Sequence, residues 1–170
     1  PVFIEEQEGK QILRGHLMKG MDHHKAFLQN ENVLVVFTGR HTYVSATWYS
    51  NPHLPSTWNY MSVPARGIIR FLDYEALISV LRKTTLHFEN NNPESTTYYD
   101  NLPTALVDML RKQIVAFEIE VTDINHVFKL SQDRDEQSYH NIIAKLSEQG
   151  EDGRVIAEEM RKRIGDRFPK

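Results

Sequence analysis

Residues 33–37 read Val-Leu-Val-Val-Phe, residues 41–45 read His-Thr-Tyr-Val-Ser, and Gly39 stands between the two runs. A short continuous apolar run is typical of a strand buried on both faces, and β-branched and aromatic residues favour a second strand after it. We expect Gly39 to break the chain into two strands here. This stretch therefore predicts that the fold is built on a β-sheet.

Further strands are predicted on both sides of this stretch. Their positions are residues 2–4, 11–17, 57–63, 66–72, 114–121 and 127–130. The segment 8–10 has the composition of a hairpin turn, and Pro64 and Gly67 indicate a bend, a bulge or an edge.

Helices are predicted where apolar residues recur at helical spacing. Asp22 and Asp73 are candidate N-caps, and Pro103 suits the first residue of a further helix. The segment 133–170 predicts a helical extension. The chain is therefore expected to be one α+β domain over residues 1–170, with a largely antiparallel sheet curled into a barrel.

Composition excludes several classes of protein. The chain has 170 residues, no cysteine and a formal net charge of −3. The lack of cysteine excludes a disulfide framework, a thiolate metal site and a cysteine nucleophile, and it is compatible with the cytoplasm, where we expect the protein. The acidic balance argues against a domain whose main role is to coat a phosphate backbone.

Common catalytic and metal-binding motifs are absent from the sequence. No Walker A loop, dinucleotide fingerprint, nucleophile elbow or HExxH motif occurs. Residues 22–24 (Asp-His-His), with His16 upstream, offer weak metal-site chemistry, because adjacent histidines point in different directions. A Ser-His-Asp site using His41 with Ser45 or Ser131 has no support from spacing. We predict no metal and assign no catalytic residue.

Aromatic residues interleaved with short polar residues are the strongest functional signal. They occupy residues 37–49 and 56–60, which include both tryptophans, Trp48 and Trp58. Aromatic faces stack planar rings, and hydroxyls and amides bind polar ring edges. The same composition also suits a Tyr- and Trp-rich core, so both interpretations stay open at this point.

Four regions together resemble the FMN-binding negative transcriptional regulator family, the PaiB-like proteins. They are residues 14–17 (RGHL), 36–49 (VFTGRHTYVSATWY), 57–60 (TWNY) and 114–119 (IVAFEI) leading into 129–132 (KLSQ). Their order along the chain makes the match more specific than any single motif. The departures from the family pattern are Arg40, Ala46, Thr47, Ser56 and Asp133.

The resemblance implies a flavin-reductase-like split β-barrel that forms a homodimer with FMN at or near the interface. It also implies a family helix and strand before the point where this chain begins. The family is named for repression of sporulation and degradative-enzyme (protease-type) genes. Contact with DNA is left open. The sequence has no helix-turn-helix and its charge balance is acidic, but the segment 154–170 carries six Lys and Arg residues against three acidic ones and could touch nucleic acid.

The resemblance and the side-chain chemistry together suggest a set of FMN-binding residues. The set is Tyr43, Ser45, Trp48, Tyr49, Thr57, Trp58, Asn59, Lys129 and Ser131. Lys129, Arg14 and Arg40 are the candidate cations for the phosphate. Each residue could instead serve core or dimer packing.

Strand alternation predicts that Lys129 and Ser131 share one face and that Leu130 faces the core. A cation beside a hydroxyl would suit a phosphate or a ring edge. The alternative is a solvated lysine beside a serine N-cap.

Three functions follow from this reasoning. The first is an FMN-binding regulator, for which no enzymatic activity is required. The second is a flavin-dependent reductase or oxidase on the same barrel. The third is a protein-interaction module with a vestigial flavin site.

Overall fold

The computed structural model describes residues 1–169, which contain six β-strands and six α-helices. The strands are β1 (Val2–Gln7), β2 (Lys10–Met18), β3 (Asn32–Val44), β4 (Thr57–Phe71), β5 (Ile114–Ile124) and β6 (Val127–Lys129). The helices are α1 (Asp22–Gln29), α2 (Tyr74–Phe88), α3 (Thr104–Leu110), α4 (Glu136–Ser147), α5 (Glu151–Lys162) and α6 (Ile164–Arg167). Lys170, the last residue of the predicted C-terminal extension, lies outside the described residues.

The strands form one sheet in the order β1-β2-β5-β4-β3, and β6 pairs with β4 off this path. The β1–β2, β2–β5 and β4–β6 pairs are antiparallel. The predicted α+β class with an antiparallel sheet is confirmed. Within residues 1–169 the sheet is open, with β1 and β3 as the outer strands of the main order.

The β1–β2 hairpin follows directly from its turn residues. Gln7 pairs with Lys10, so the connecting loop is the two residues Glu8 and Gly9. Their φ angles are 51° and 76°. Positive φ at both central positions matches the twist of the flanking strands, and glycine adopts it without a steric cost.

The chain divides into two compact units, each made of two separate segments. Unit 1 comprises Pro1–Val35 and Ala65–Asp123, and unit 2 comprises Val36–Pro64 and the residues from Ile124 onward. Strands β3 and β4 each run from one unit into the other.

Unit 1 has its core under α2. Leu77 and Val80 of that helix pack with Ala116 of β5, and all three are buried. The helix starts as expected, because the Asp73 carboxylate accepts a hydrogen bond from the Ala76 amide at 2.9 Å.

The apolar core of unit 2 lies between its strands and the α4–α5 pair. Val44, Leu130, Ile142, Ile156 and Met160 are fully buried there. Gly150 is the N-cap residue of α5, and Gly153 lies inside the helix without interrupting it.

Two predicted strand breaks are wrong. Gly39 lies within the continuous strand β3, where a Cβ atom would come within 3.1 Å of the Met61 carbonyl oxygen, so glycine serves close approach of β3 to β4. Pro64 lies within β4, just beyond the Tyr60–Ser62 segment that pairs with β6, so its missing N–H costs that ladder no bond. Pro103 is the N-cap residue of α3 rather than its first residue.

Candidate functional site

All nine residues predicted for the FMN site lie in unit 2. The structure does not bring them into a single pocket. It divides them among an exposed face of the β3–β4–β6 strands, the short helical turn after β3, and the buried side of β4 and of the segment after β6. The two interpretations left open by the sequence, ligand site and aromatic core, therefore apply to different residues.

The exposed face carries a cluster of rings. The Trp58 ring centroid lies 5.6 Å from that of His41 and 6.3 Å from that of Tyr43. Tyr43 is 49% exposed and Trp58 is 47% exposed. Tyr60 shares their side of β4, because it lies two residues after Trp58. We call His41, Tyr43, Trp58 and Tyr60 the aromatic face.

Lys129 stands beside this aromatic face. In the antiparallel β4–β6 pair, Lys129 lies directly opposite Tyr60, so the two side chains project to the same side of the sheet. The Lys129 side chain is exposed. Within residues 1–169 it has no carboxylate partner, so its charge is available to a ligand.

The other two candidate cations are already paired. Arg40 binds Glu151 at 2.5 Å and Asp152 at 2.9 Å. Arg14 lies in unit 1, where it binds Glu5 and Glu118 at 3.1 Å each.

Two open hollows adjoin the aromatic face. One, of about 490 Å³, lies between Tyr43, Trp58 and the α4–α5 turn at residues 149–153. The other, of about 390 Å³, is mainly apolar and lies over Trp58, Tyr60 and Met61. Both volumes fall in the range of roughly 300–1,000 Å³ that small-molecule sites occupy.

Asn59 and Ser131 are buried, not exposed to a ligand. The Ser131 hydroxyl donates to the Asn59 side-chain oxygen at 3.0 Å, and the Asn59 amide donates to the Met160 sulfur at 3.6 Å. Asn59 is 0% exposed and Ser131 is 2% exposed. This pair links β4 to the segment after β6 and to α5.

The prediction that Lys129 and Ser131 share a face is wrong. Strand β6 ends at Lys129, and Ser131 has a φ of 60°, so the two-residue alternation does not continue to it. Lys129 is exposed, whereas Leu130 and Ser131 are both buried. Leu130 faces the core, as expected.

A short helical turn follows β3 and contains or borders Ser45, Trp48 and Tyr49. Ser45 caps this turn, because its hydroxyl accepts from the Thr47 amide at 3.3 Å. The half-buried Trp48 ring packs on the unit 2 core, and its carbonyl oxygen accepts from the Asn141 amide at 3.0 Å. Thr57, at the start of β4, is half-buried.

The Tyr49 ring is buried under Arg134. The guanidinium carbon lies 4.6 Å from the ring centroid. The hydroxyl is buried without a well-formed hydrogen bond. Burial raises the pKa of Tyr49 above its usual value, and the Arg134 charge opposes this effect.

A hydroxyl–carboxylate cluster near this turn was missed by the sequence reasoning. The Asp135 carboxylate accepts from the Ser138 hydroxyl at 2.6 Å, the Ser138 amide at 2.9 Å and the Ser50 hydroxyl at 3.0 Å. The Ser138 hydrogen bonds, followed by that from Ser50, lower the pKa of Asp135 to about 2. The Asp-x-x-Ser spacing is an N-cap signal that could have revealed half of this cluster.

Residues 1–169 present neither a candidate metal cluster nor a helix that could cross a membrane. No group of three or more histidine and carboxylate side chains there is arranged to hold a metal ion. None of the helices described combines the length and apolar character that crossing a bilayer requires.

Residues 1–123 match the family described as "Putative FMN-binding domain". The chain belongs to this family. The match spans all of unit 1 and the first segment of unit 2. It therefore includes the aromatic face and ends before Lys129 and Ser131.

Two relatives extend the comparison beyond residue 123. The chain is 32% identical over 165 residues to "Protease synthase and sporulation protein PAI 2" of Bacillus subtilis (strain 168), covering 96% of this chain and 79% of that protein. It is 26% identical over 183 residues to an uncharacterized protein of Emericella nidulans, covering 89% of this chain and 73% of that one. The PaiB-like resemblance is thereby confirmed, and FMN is the cofactor of the family.

Solved structures give more distant likenesses. The flavocytochrome Anf3 from Azotobacter vinelandii aligns with a TM-score of 0.47 and 14% identity, over 82% of this chain and 60% of that one. The FAD and heme binding protein from Mycobacterium smegmatis aligns with a TM-score of 0.44 and 13% identity, over 76% of this chain and 58% of that one. The chain thus spans less than two thirds of the length of either solved chain.

Proposed function

We propose that the aromatic face of unit 2 binds the isoalloxazine ring of FMN and that Lys129 binds its phosphate. The proposal rests on one observation: exposed rings on β3 and β4 lie on the same side of the sheet as a lysine that has no carboxylate partner. An aromatic surface beside an available cation fits a planar ring linked to a dianion.

Each residue of this site has a distinct task. Trp58 and Tyr43 stack against the ring, and His41 extends the stacking surface. Lys129 donates charge-assisted hydrogen bonds to phosphate oxygens. FMN, when bound, supplies the redox-active ring, and the protein positions it.

The remaining predicted residues form the framework of the site. Asn59 and Ser131 hold β4 and the end of β6 together from the buried side, and Ser45 caps the turn that follows β3. The framework also includes Trp48, Tyr49 and Thr57.

We further propose that the chain acts as a cytoplasmic, homodimeric regulator of the PaiB type, repressing sporulation and protease-type genes. The support is the name of the Bacillus subtilis relative and its 32% identity. Exposed apolar side chains on unit 2, such as Val36 at 50% exposure, support association between copies. Whether the regulator touches DNA itself or acts through a partner is decided by binding assays with purified DNA.

Titration with FMN tests the site. Flavin fluorescence should fall as protein is added at micromolar concentration, and Trp58→Leu should abolish most of this quenching. The matched control is Trp48→Phe, which changes the half-buried tryptophan outside the face. If Trp58→Leu quenches like the unaltered protein, the aromatic face is not the flavin site.

The same sample separates a regulator from an enzyme. A regulator should bind FMN without turning over reduced nicotinamide nucleotides. Bleaching of bound flavin by NADH or NADPH at catalytic rates would instead assign a reductase. A dimer that binds neither flavin nor nicotinamide nucleotides would indicate an interaction module.

A further inference from the structure

The two hollows beside the aromatic face meet at Trp58 and His41, which belong to the walls of both. The smaller hollow, of about 390 Å³, continues over Tyr60 and Met61 and is mainly apolar. The larger hollow, of about 490 Å³, continues past Tyr43 to the α4–α5 turn, which adds polar groups. A ring that covers Trp58 therefore has apolar walls at one end and polar walls at the other.

Gln149 supplies hydrogen-bond donors to the larger hollow. The Thr42 hydroxyl donates to the Gln149 side-chain oxygen at 3.3 Å, and both residues line the hollow. Because the oxygen is the atom that accepts this bond, the Gln149 side-chain nitrogen keeps its two N–H donors. Gln149 is exposed, so a ligand in the hollow reaches these donors directly.

Gly153 allows Gln149 to take this position. A Cβ atom at residue 153 would lie 2.8 Å from the Gln149 Cβ atom and 2.8 Å from the Leu146 carbonyl oxygen, so no larger residue fits there without movement. The backbone amide of Gln149 also donates to that carbonyl oxygen at 3.1 Å. Glycine inside a helix is less favourable than alanine, and here it permits the close packing of Gln149 against α5.

The charges beside the larger hollow disfavour a phosphate there. Arg40 binds the Glu151 and Asp152 carboxylates, and all three residues line this hollow. One guanidinium and two carboxylates leave a formal charge of −1, which repels an anion. A neutral group that accepts hydrogen bonds fits these walls, whereas a phosphate is attracted to Lys129.

The isoalloxazine ring of FMN has the same two kinds of end. Its pyrimidine end has two carbonyl oxygens that accept hydrogen bonds, and its opposite end is a benzene ring with two methyl groups. An amide N–H satisfies a carbonyl oxygen, and methyl groups gain from an apolar wall. The ribityl chain leaves from the middle ring, so a contact between the phosphate and Lys129 is compatible with either orientation of the ring.

We infer that Gln149 fixes the orientation of the flavin and selects for a pyrimidinedione ring. Its side-chain nitrogen donates to a pyrimidine carbonyl oxygen in the larger hollow, and the dimethylbenzene end lies in the apolar hollow over Tyr60. This inference rests on the proposed flavin site and adds a residue beyond the family match, which ends at residue 123. The ligand class is a tricyclic ring with a pyrimidinedione at one end and an apolar opposite end.

Fluorescence titration of the whole chain with riboflavin and two ring analogues tests the orientation. Riboflavin has no phosphate, so the contact with Lys129 does not contribute. 3-Methylriboflavin has a methyl group between the two carbonyl oxygens, and 7,8-didemethylriboflavin lacks the two methyl groups of the benzene ring. Each analogue should bind the unaltered protein about threefold or more weakly than riboflavin, because one crowds Gln149 and the other loses apolar contact.

Gln149→Leu should weaken riboflavin about threefold to tenfold, because a neutral hydrogen bond is lost. It should also remove most of the difference between riboflavin and 3-methylriboflavin, and leave the ratio of riboflavin to 7,8-didemethylriboflavin affinity unchanged. Gln149→Glu keeps the side-chain length and should weaken riboflavin further, since a carboxylate then faces the carbonyl oxygens. Gln137→Leu, at an exposed position of α4, is the matched control and should leave all three affinities unchanged.

The vibrational spectrum of bound riboflavin gives a second readout. A hydrogen bond lowers the stretching frequency of a carbonyl group. A pyrimidine carbonyl band should therefore move to higher frequency in Gln149→Leu and stay in place in Gln137→Leu.

The outcomes separate this inference from the proposed function. If riboflavin binds and Trp58→Leu weakens it, but both Gln149 variants bind riboflavin like the unaltered protein, the flavin site stands and the orientation is wrong. If Gln149→Leu changes the discrimination against 7,8-didemethylriboflavin instead of that against 3-methylriboflavin, the ring lies the other way round and the inference is overturned. If the unaltered protein binds no flavin, both fail.

Discussion

Lys129 lies directly opposite Tyr60 in the β4–β6 ladder, so the cation and the ring project from the same side of the sheet. Between Trp58 and Tyr60, Asn59 turns to the other side and is fully buried. Alternate residues of β4 therefore have different roles: Trp58 and Tyr60 are on the side available to a ligand, and Asn59 is on the side that stabilises the fold.

Lys129→Ala should weaken FMN binding about tenfold, or about 1.4 kcal/mol, because a charge-assisted phosphate contact is lost. Riboflavin lacks the phosphate, so its affinity should be lower than that of FMN and unchanged by the substitution. Calorimetric titration measures both. Lys145→Ala, on α4, is the matched control and should leave both affinities unchanged. Equal loss of FMN and riboflavin affinity would remove Lys129 from the phosphate site.

Trp58→Leu should weaken FMN and riboflavin equally, by roughly tenfold, because stacking on an aromatic ring contributes about 1–3 kcal/mol. The thermal midpoint should move little, since Trp58 is 47% exposed. Trp58→Phe keeps a ring and should recover part of the affinity. A large drop in stability would show that Trp58 serves packing instead.

Ser131→Ala should destabilise the protein by about 1–3 kcal/mol, because the Asn59 oxygen loses its buried donor. Asn59→Ala should cost at least as much. A double-mutant cycle measured by urea unfolding should give a coupling of about 0.5–3 kcal/mol. The FMN affinity of the folded variants should stay unchanged, and a selective loss of FMN affinity at unchanged stability would place these residues in the ligand site.

Asp135 should make stability depend on pH at the acid end. Its folded pKa is lowered from 3.8 to about 2, so the carboxylate stabilises the folded state above about pH 4. This contribution is lost as the pH falls from about 4 through about 2. The stability difference between the unaltered protein and Asp135→Asn, from urea unfolding, should shrink over that window. A carboxyl titration midpoint near 4 by NMR would contradict the cluster, and Asp166→Asn is the control for loss of one surface carboxylate.

The protein should run as a dimer at micromolar concentration. Light scattering should give twice the mass of one chain. Val36→Asp places a charge on the exposed apolar surface of unit 2 and should shift the mass toward that of a monomer. The control is Met109→Asp on α3, at an equally exposed position of unit 1. A monomer mass for the unaltered protein would contradict the homodimer.

Local signals predicted much of the fold. The turn at residues 8–10, the Asp73 cap and the strand after residue 114 are where the sequence placed them. Each depends on neighbours in the sequence. Gly39 and Pro64 were misinterpreted because their roles depend on Met61 and on the end of the β6 ladder, which are distant in the sequence.

The site could be predicted in composition but not in geometry. Trp48 and Trp58 occur in similar sequence surroundings, yet the first packs on the core and the second is exposed. The sequence predicts a strand conformation for Ser131. Its φ is positive instead, and its side chain is buried rather than exposed beside Lys129. These differences depend on where each strand ends and on which strand or helix it packs against, and neither is encoded in the neighbouring sequence.

The interleaving of the two units also limits how the gene can be shortened. Each unit uses two segments that alternate along the chain, with crossings after residues 35, 64 and 123. No single cut therefore separates one unit from the other. A truncation after residue 123 would take only residues of unit 2, among them Lys129, and would leave both segments of unit 1 in the chain, whereas a C-terminal truncation that reaches further would damage both units.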